Sequence, residues 1–99
     1  MSDLYSDPGK FDLSIVGTAE LGYAYDWDTF QIYEHLESGK YYYVHGAGCS
    51  CNDMGDYVQT LEDLTSATPA ELHVALDEFA GTRKNDAEVV ELHAKIASL

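Results

Sequence analysis

Two strand-like runs joined by one short turn constrain this chain more than any other feature. Phe30-Gln31-Ile32-Tyr33-Glu34-His35-Leu36 and Lys40-Tyr41-Tyr42-Tyr43-Val44-His45 flank Glu37-Ser38-Gly39, and Gly46-Ala47-Gly48-Cys49-Ser50-Cys51 follows directly. A turn of that composition suits a three-residue hairpin loop with Gly39 left-handed, a conformation glycine adopts without steric cost. The loop sets the register: Leu36 opposite Lys40, Tyr33 opposite Tyr43, Ile32 opposite Val44. Side chains alternate between the faces of a strand. Phe30, Ile32, Tyr42 and Val44 therefore share one face, with Glu34 near its end. Gln31, Tyr33, His35, Tyr41, Tyr43 and His45 share the other. The first face holds the purely apolar residues and is the expected core side. A two-residue Ser38-Gly39 loop is the alternative, and it would place His45 opposite Ile32.

The rest of the chain has elements to cover this central hairpin, which spans about residues 29–47. Phe11-Asp12-Leu13-Ser14-Ile15-Val16-Gly17 alternates like a half-buried strand. Glu20 to Tyr25 either extends it or forms a short strand of its own, and Trp27 is an expected core or rim anchor. Thr60-Leu61-Glu62-Asp63-Leu64 suits one helical turn with both leucines inward. Thr68-Pro69-Ala70-Glu71 then sets an N-cap, a first-turn proline and a capping-box glutamate before the stripe Leu72, Ala75, Leu76, Phe79. After Gly81 a second helix is expected, capped by Asn85, with Val89, Leu92, Ile96 and Leu99 as its stripe. The short link makes the two helices antiparallel neighbours. Strands first and helices last predict an α+β fold: a small antiparallel sheet of three or four strands with the helical pair on one face. Residues 1–10 read as a flexible arm, and 11–99 as a single domain.

Charge narrows the function classes. The chain has 18 acids against 5 bases, a formal −13, and no Lys or Arg between Tyr41 and Thr82. Direct binding to nucleic acid through phosphates is excluded on that balance. A basic partner fits it, as does mimicry of nucleic-acid charge that inhibits a DNA-binding protein. No apolar run approaches the roughly 20 residues of a membrane span, and the N-terminus has no basic start or apolar stretch. The expectation is a soluble, intracellular protein.

The residues that bear chemistry form no catalytic set, and no enzyme is expected. Cys49 and Cys51 would point the same way in an extended segment, and with His45 and His35 they make a four-ligand zinc set, the route to a zinc-stabilised small domain. One intervening residue is unusual for zinc cysteines, so the expectation is small buried thiols and no cofactor. Gly46-x-Gly48 lacks the lysine and helix start of a phosphate loop. His73 and His93 lie on the helices without a matching partner pattern. The tyrosines count for more: Tyr33, Tyr41 and Tyr43, beside His35 and His45, make the expected partner-binding face, since tyrosine joins apolar area to a polar tip.

The tyrosine-rich strand ending in Gly48-Cys49-Ser50-Cys51, the upstream Phe11-Asp12-Leu13 and the downstream Leu61-Glu62-Asp63-Leu64 resemble a family of small uncharacterised proteins of actinobacterial phages. The resemblance implies context rather than activity: a phage accessory protein in a host bacterial cytoplasm. Joined to the tyrosine face, it makes the expected role a non-enzymatic interaction module acting on a host protein, with a homodimer as a further option.

Overall fold

A computed structural model describes residues 4–5, 7–22, 26–49, 55 and 58–99. Four strands form one antiparallel sheet in chain order: β1 (Leu13–Glu20), β2 (Asp26–His35), β3 (Tyr41–Cys49) and β4 (Thr65–Ala67). Two helices, α1 (Pro69–Ala80) and α2 (Ala87–Ala97), follow and pack on one face of the sheet. The fold is α+β, as the order of patterns predicts.

The helix starts follow the sequence closely. Thr68 Oγ1 accepts from the Glu71 N–H at 3.2 Å, and Glu71 returns the bond to the Thr68 N–H at 2.9 Å. Both donors would otherwise lack partners in a first helical turn. On α2 the cap is Asp86, one residue beyond the expected Asn85, and its carboxylate accepts from the Glu88 N–H at 3.1 Å. Leu72, Leu76, Val89, Leu92 and Ile96 are buried against Ala19, Phe30 and Ile32. Each such aliphatic side chain contributes about 1.5–3 kcal/mol by leaving water. Leu99, expected to continue the α2 stripe, is exposed. Gly17 lets α2 approach: a Cβ there would lie 2.6 Å from Leu92 Cδ1.

The hairpin register differs from the expected one. The closing pair is His35 and Lys40, with the His35 N–H donating to the Lys40 carbonyl at 2.7 Å, so the loop holds Leu36 to Gly39. Gly39 is left-handed at φ 72°, as predicted, but it ends a four-residue loop rather than a three-residue one. That extra residue slides β3 by one position. Tyr33 pairs with Tyr42, Ile32 with Tyr43 and Phe30 with His45. A slip of one turns every β3 side chain over. Tyr41 and Tyr43 therefore pack toward the helices, while Tyr42 and Val44 turn away from them.

The face away from the helices is not bare. Leu4, Leu13, Tyr33, Val58 and Leu64 form a second buried cluster, with Tyr5, Phe11, Trp27, Tyr42, Val44 and Leu61 around it. Leu4 and Tyr5 are tied by their N–H groups to the Gln59 and Val58 carbonyls. These residues, expected in a flexible arm, instead pack as core, and Pro8–Phe11 forms a 3-10 turn. The Thr60 to Leu64 turn is present as a 3-10 helix at Leu61–Asp63. A bulge at Val16 shifts the β1 register between Ile15 and Gly17. It sends Leu13 to the second cluster and Ala19 to the helix side, leaving Ile15, expected inward, exposed.

Candidate functional site

The residues expected on one partner-binding face lie on two. Tyr33 is 0% exposed in the second cluster, and its hydroxyl accepts from Gln31 Nε2 at 2.6 Å. His35 sits on the same side, edge-on to Tyr42. Tyr41, Tyr43 and His45 lie on the helix side beside α1. The cause is the register: an odd residue of β2 now pairs with an even residue of β3.

On the helix side three adjoining depressions make one open groove between α1 and the β3–β4 edge. Gly39, Tyr41, Ala67, Pro69 and Glu71 line one end. Tyr43, Ala70, Val74, Ala75 and Glu78 line the middle. Phe30, His45 and Phe79 close the other end. Rings build its floor there: Phe30 stacks on Tyr43 with centroids 5.3 Å apart, and Phe79 meets His45 edge-on at 4.8 Å. Asp28 holds His45 Nε2 at 2.9 Å, fixing the imidazole against the phenyl edge. Val74 stands 59% exposed on the helix wall. Glu71 and Glu78 supply negative charge along the wall, and Lys40 is the one base lining the groove among the described residues. An aromatic floor with an acidic wall can hold apolar side chains and cations. The sequence signal for it was the base-free stretch together with the i, i+4 pair Glu71 and Ala75 beside Val74 and Glu78 on one helix flank.

The zinc set does not come together. His35 and His45 are on opposite faces and at different heights of the hairpin, His35 beside the turn and His45 opposite Phe30. Cys51 lies outside the described residues. His35 instead meets Asp12 and Glu37, with one ligand-capable atom from each within 4.8 Å of the others. Ser38 Oγ binds His35 Nδ1 at 2.7 Å. Three donors are half of an octahedral shell, and no fourth His, Cys, Asp or Glu among the described residues joins them. Exposed acidic groups gather at loops without a metal.

Sequence reasoning missed a histidine pair. His73 Nδ1 and His93 Nδ1 are 2.7 Å apart across the two helices, and His93 Nε2 lies 2.8 Å from Asp77 Oδ1. The ring centroids are 4.9 Å apart and the planes nearly parallel at 13°. With the nitrogens so close, the rings meet edge to edge and share one N–H between them. A carboxylate–imidazole–imidazole line results, which can shift a proton along itself. None of the depressions described above is lined by His73, His93 or Asp77. The signal was available: His73 is eight residues before Gly81 and His93 eight after Asn85, equidistant from the helix turn.

Two other carboxylates are tuned by their surroundings. Burial pushes the Glu20 carboxyl up, but hydrogen bonds from the Thr29 hydroxyl and the Asp28 and Gly22 N–H groups outweigh it and hold it below its ordinary value. Gln59 and Thr60 N–H groups hold Asp63 low. Both carboxylates order turns and belong to the scaffold.

No helix among the described residues is long and apolar enough to cross a membrane. No curated protein and no solved structure matches the chain. A family model described as a domain of unknown function, DUF7574, matches residues 2–99, so the chain belongs to that family.

Proposed function

We propose that this chain is a non-enzymatic protein-interaction module that docks a partner in the groove between α1 and β3. The observation that carries this reading is the groove itself: an aromatic and aliphatic floor, open to water, walled by Glu71 and Glu78. Exposed apolar surface with a polar rim marks association sites. Tyr41, Tyr43 and His45, three of the five residues expected to bind a partner, lie along it. A chain carrying −13 favours a partner with a basic surface. Following the family resemblance, we place the module as a phage accessory protein that acts on a host protein in the bacterial cytoplasm.

The test is capture from a host lysate with the wild-type chain and with the double variant Val74→Arg, Glu78→Lys. Both positions are exposed, so the change should leave stability within about 0.5 kcal/mol. Captured proteins are identified by mass spectrometry, purified and titrated. The expected result is a partner whose affinity falls at least roughly ten-fold in the double variant. A partner bound equally by both chains would place the site elsewhere.

A further inference from the structure

We infer that the groove's occupant is an extended basic segment of a partner protein that pairs with the free edge of β3 at His45 and Ala47 as a fifth strand. This rests on the groove being the docking surface. β4 pairs only with Tyr41, Tyr42 and Tyr43. Beyond Tyr43, no strand among the described residues lies on that side of β3.

The ladder fixes which backbone groups are free there. In an antiparallel pair, alternate residues aim both N–H and C=O at the neighbouring strand, and the residues between them aim outward. The His35 to Lys40 bond sets the phase. The pairing to β2 then runs unbroken from Glu34–Tyr41 to Asp26–Cys49. Tyr41, Tyr43, His45 and Ala47 consequently aim outward. β4 takes the first two, and the N–H and C=O groups of His45 and Ala47 have no partner among the described residues. Both residues are exposed.

The sheet's other outer edge is guarded and this one is not. β1 carries the bulge at Val16, and the Glu88 carboxylate accepts from the Glu20 N–H at 3.3 Å. Bulges, lysines and prolines are the usual protection of an edge. From Val44 to Cys49 the chain has no bulge, no Lys and no Pro. Gly46 and Gly48 carry no side chain to hold off a second backbone. The adjacent groove supplies what strand addition needs for selectivity, a place for alternate side chains. Tyr43, Ala75 and Phe79 accept apolar ones, and Glu71 and Glu78 attract cations. Charge also decides against a second copy as occupant, because two chains of −13 repel.

The probe is a synthetic alternating Lys–Val peptide of about ten residues. It is compared with its Glu–Val counterpart and with a Lys–Val peptide N-methylated at every second amide along one edge. Titration of the isotope-labelled chain is followed by NMR, with amide hydrogen exchange at His45 and Ala47. The Lys–Val peptide should bind roughly ten-fold or more tighter than the Glu–Val one. N-methylation should abolish binding, and both amides should gain protection. Ala47→Pro should remove binding with the fold intact, since its N–H is outside the β2 ladder. If that variant unfolds, the N-methylated peptide still decides. Binding weakened by Val74→Arg, Glu78→Lys without protection of the two amides overturns strand addition and leaves the groove reading standing. Binding by neither route overturns both. Concentration-dependent protection without peptide gives the edge to a second copy and overturns the inference.

Discussion

On one face of the sheet two helices lie against Phe30 and Ile32, and on the other Leu4, Val58 and Leu64 reach in from short irregular segments. Both faces are dry at their centres: Ile32 and Tyr33, neighbours on β2 that point opposite ways, are each 0% exposed. Burial thus does not distinguish the two sides, but the kind of chain that achieves it does. A helix spreads its apolar side chains along a periodic stripe and caps its own polar groups. An irregular segment must place a few large side chains singly and tie its backbone across, as Leu4 and Tyr5 do to Gln59 and Val58.

If the second face is a true core, its largest residue should cost as much to lose as any on the helix side. Tyr33→Ala should destabilise by about 3–5 kcal/mol, and Leu76→Ala by about 2–5 kcal/mol, read from urea unfolding midpoints. The two side chains lie on opposite faces, so the double variant should equal the sum within about 0.5 kcal/mol. A Tyr33→Ala cost under about 1 kcal/mol would break the equivalence of the faces.

Leu4→Ala should cost about 2–3 kcal/mol, because the segment carrying it can relax more than a helix can. A neutral result would return that segment to the status of a loose arm. Thr68→Ala touches only the helix side and should cost about 1 kcal/mol through loss of the α1 cap. Thermal melts would check it, and restoration by Thr68→Ser would assign the loss to the hydroxyl rather than to packing.

The smallest effect concerns pH. The folded Glu20 carboxyl holds its proton less tightly than the unfolded one. Its contribution is therefore full above the unfolded carboxylate range of about 4.3 and is lost as pH falls through the lower folded value. Glu20→Gln should be less stable than wild type near neutrality, and the gap should close on acidification. A gap independent of pH would mean that the Glu20 bonds do not depend on its charge.

Legibility in the sequence followed the same division. Thr68, Pro69 and Glu71 specify a helix start by local bonds, so α1 could be read directly, and the stripes of the two helices named Leu72, Leu76, Val89, Leu92 and Ile96, though they missed Ala80 and ran on to the exposed Leu99. The hairpin was legible as a hairpin, and Gly39 as its left-handed residue. The register was not, because a four-residue loop and a three-residue loop draw on the same turn residues, and three consecutive tyrosines satisfy either face. That ambiguity placed Tyr33 and Tyr43 together when one is core and the other lines the groove. Leu4 was illegible for another reason: a lone leucine beside Tyr5 in an otherwise polar stretch has no period, and only its partners Val58 and Leu64, far along the chain, give it a role. The tyrosines and His45 were singled out by type, but the groove that Tyr41, Tyr43 and His45 share needed α1 in place beside them.

The strand order has a consequence for how the chain reaches this state. β1, β2 and β3 are joined in turn by short loops, so their pairing forms quickly, whereas β4 reaches β3 across the longer stretch from Cys49 to Thr65. Two ties are long: Leu4 to Gln59, and α2 packed over β1 by way of Leu92 at Gly17. Their loop-closure entropy is met late. Ile32→Val in the hairpin should slow refolding, while Leu92→Ala should chiefly speed unfolding, a contrast stopped-flow chevrons would read. A chain built this way fastens its two ends last.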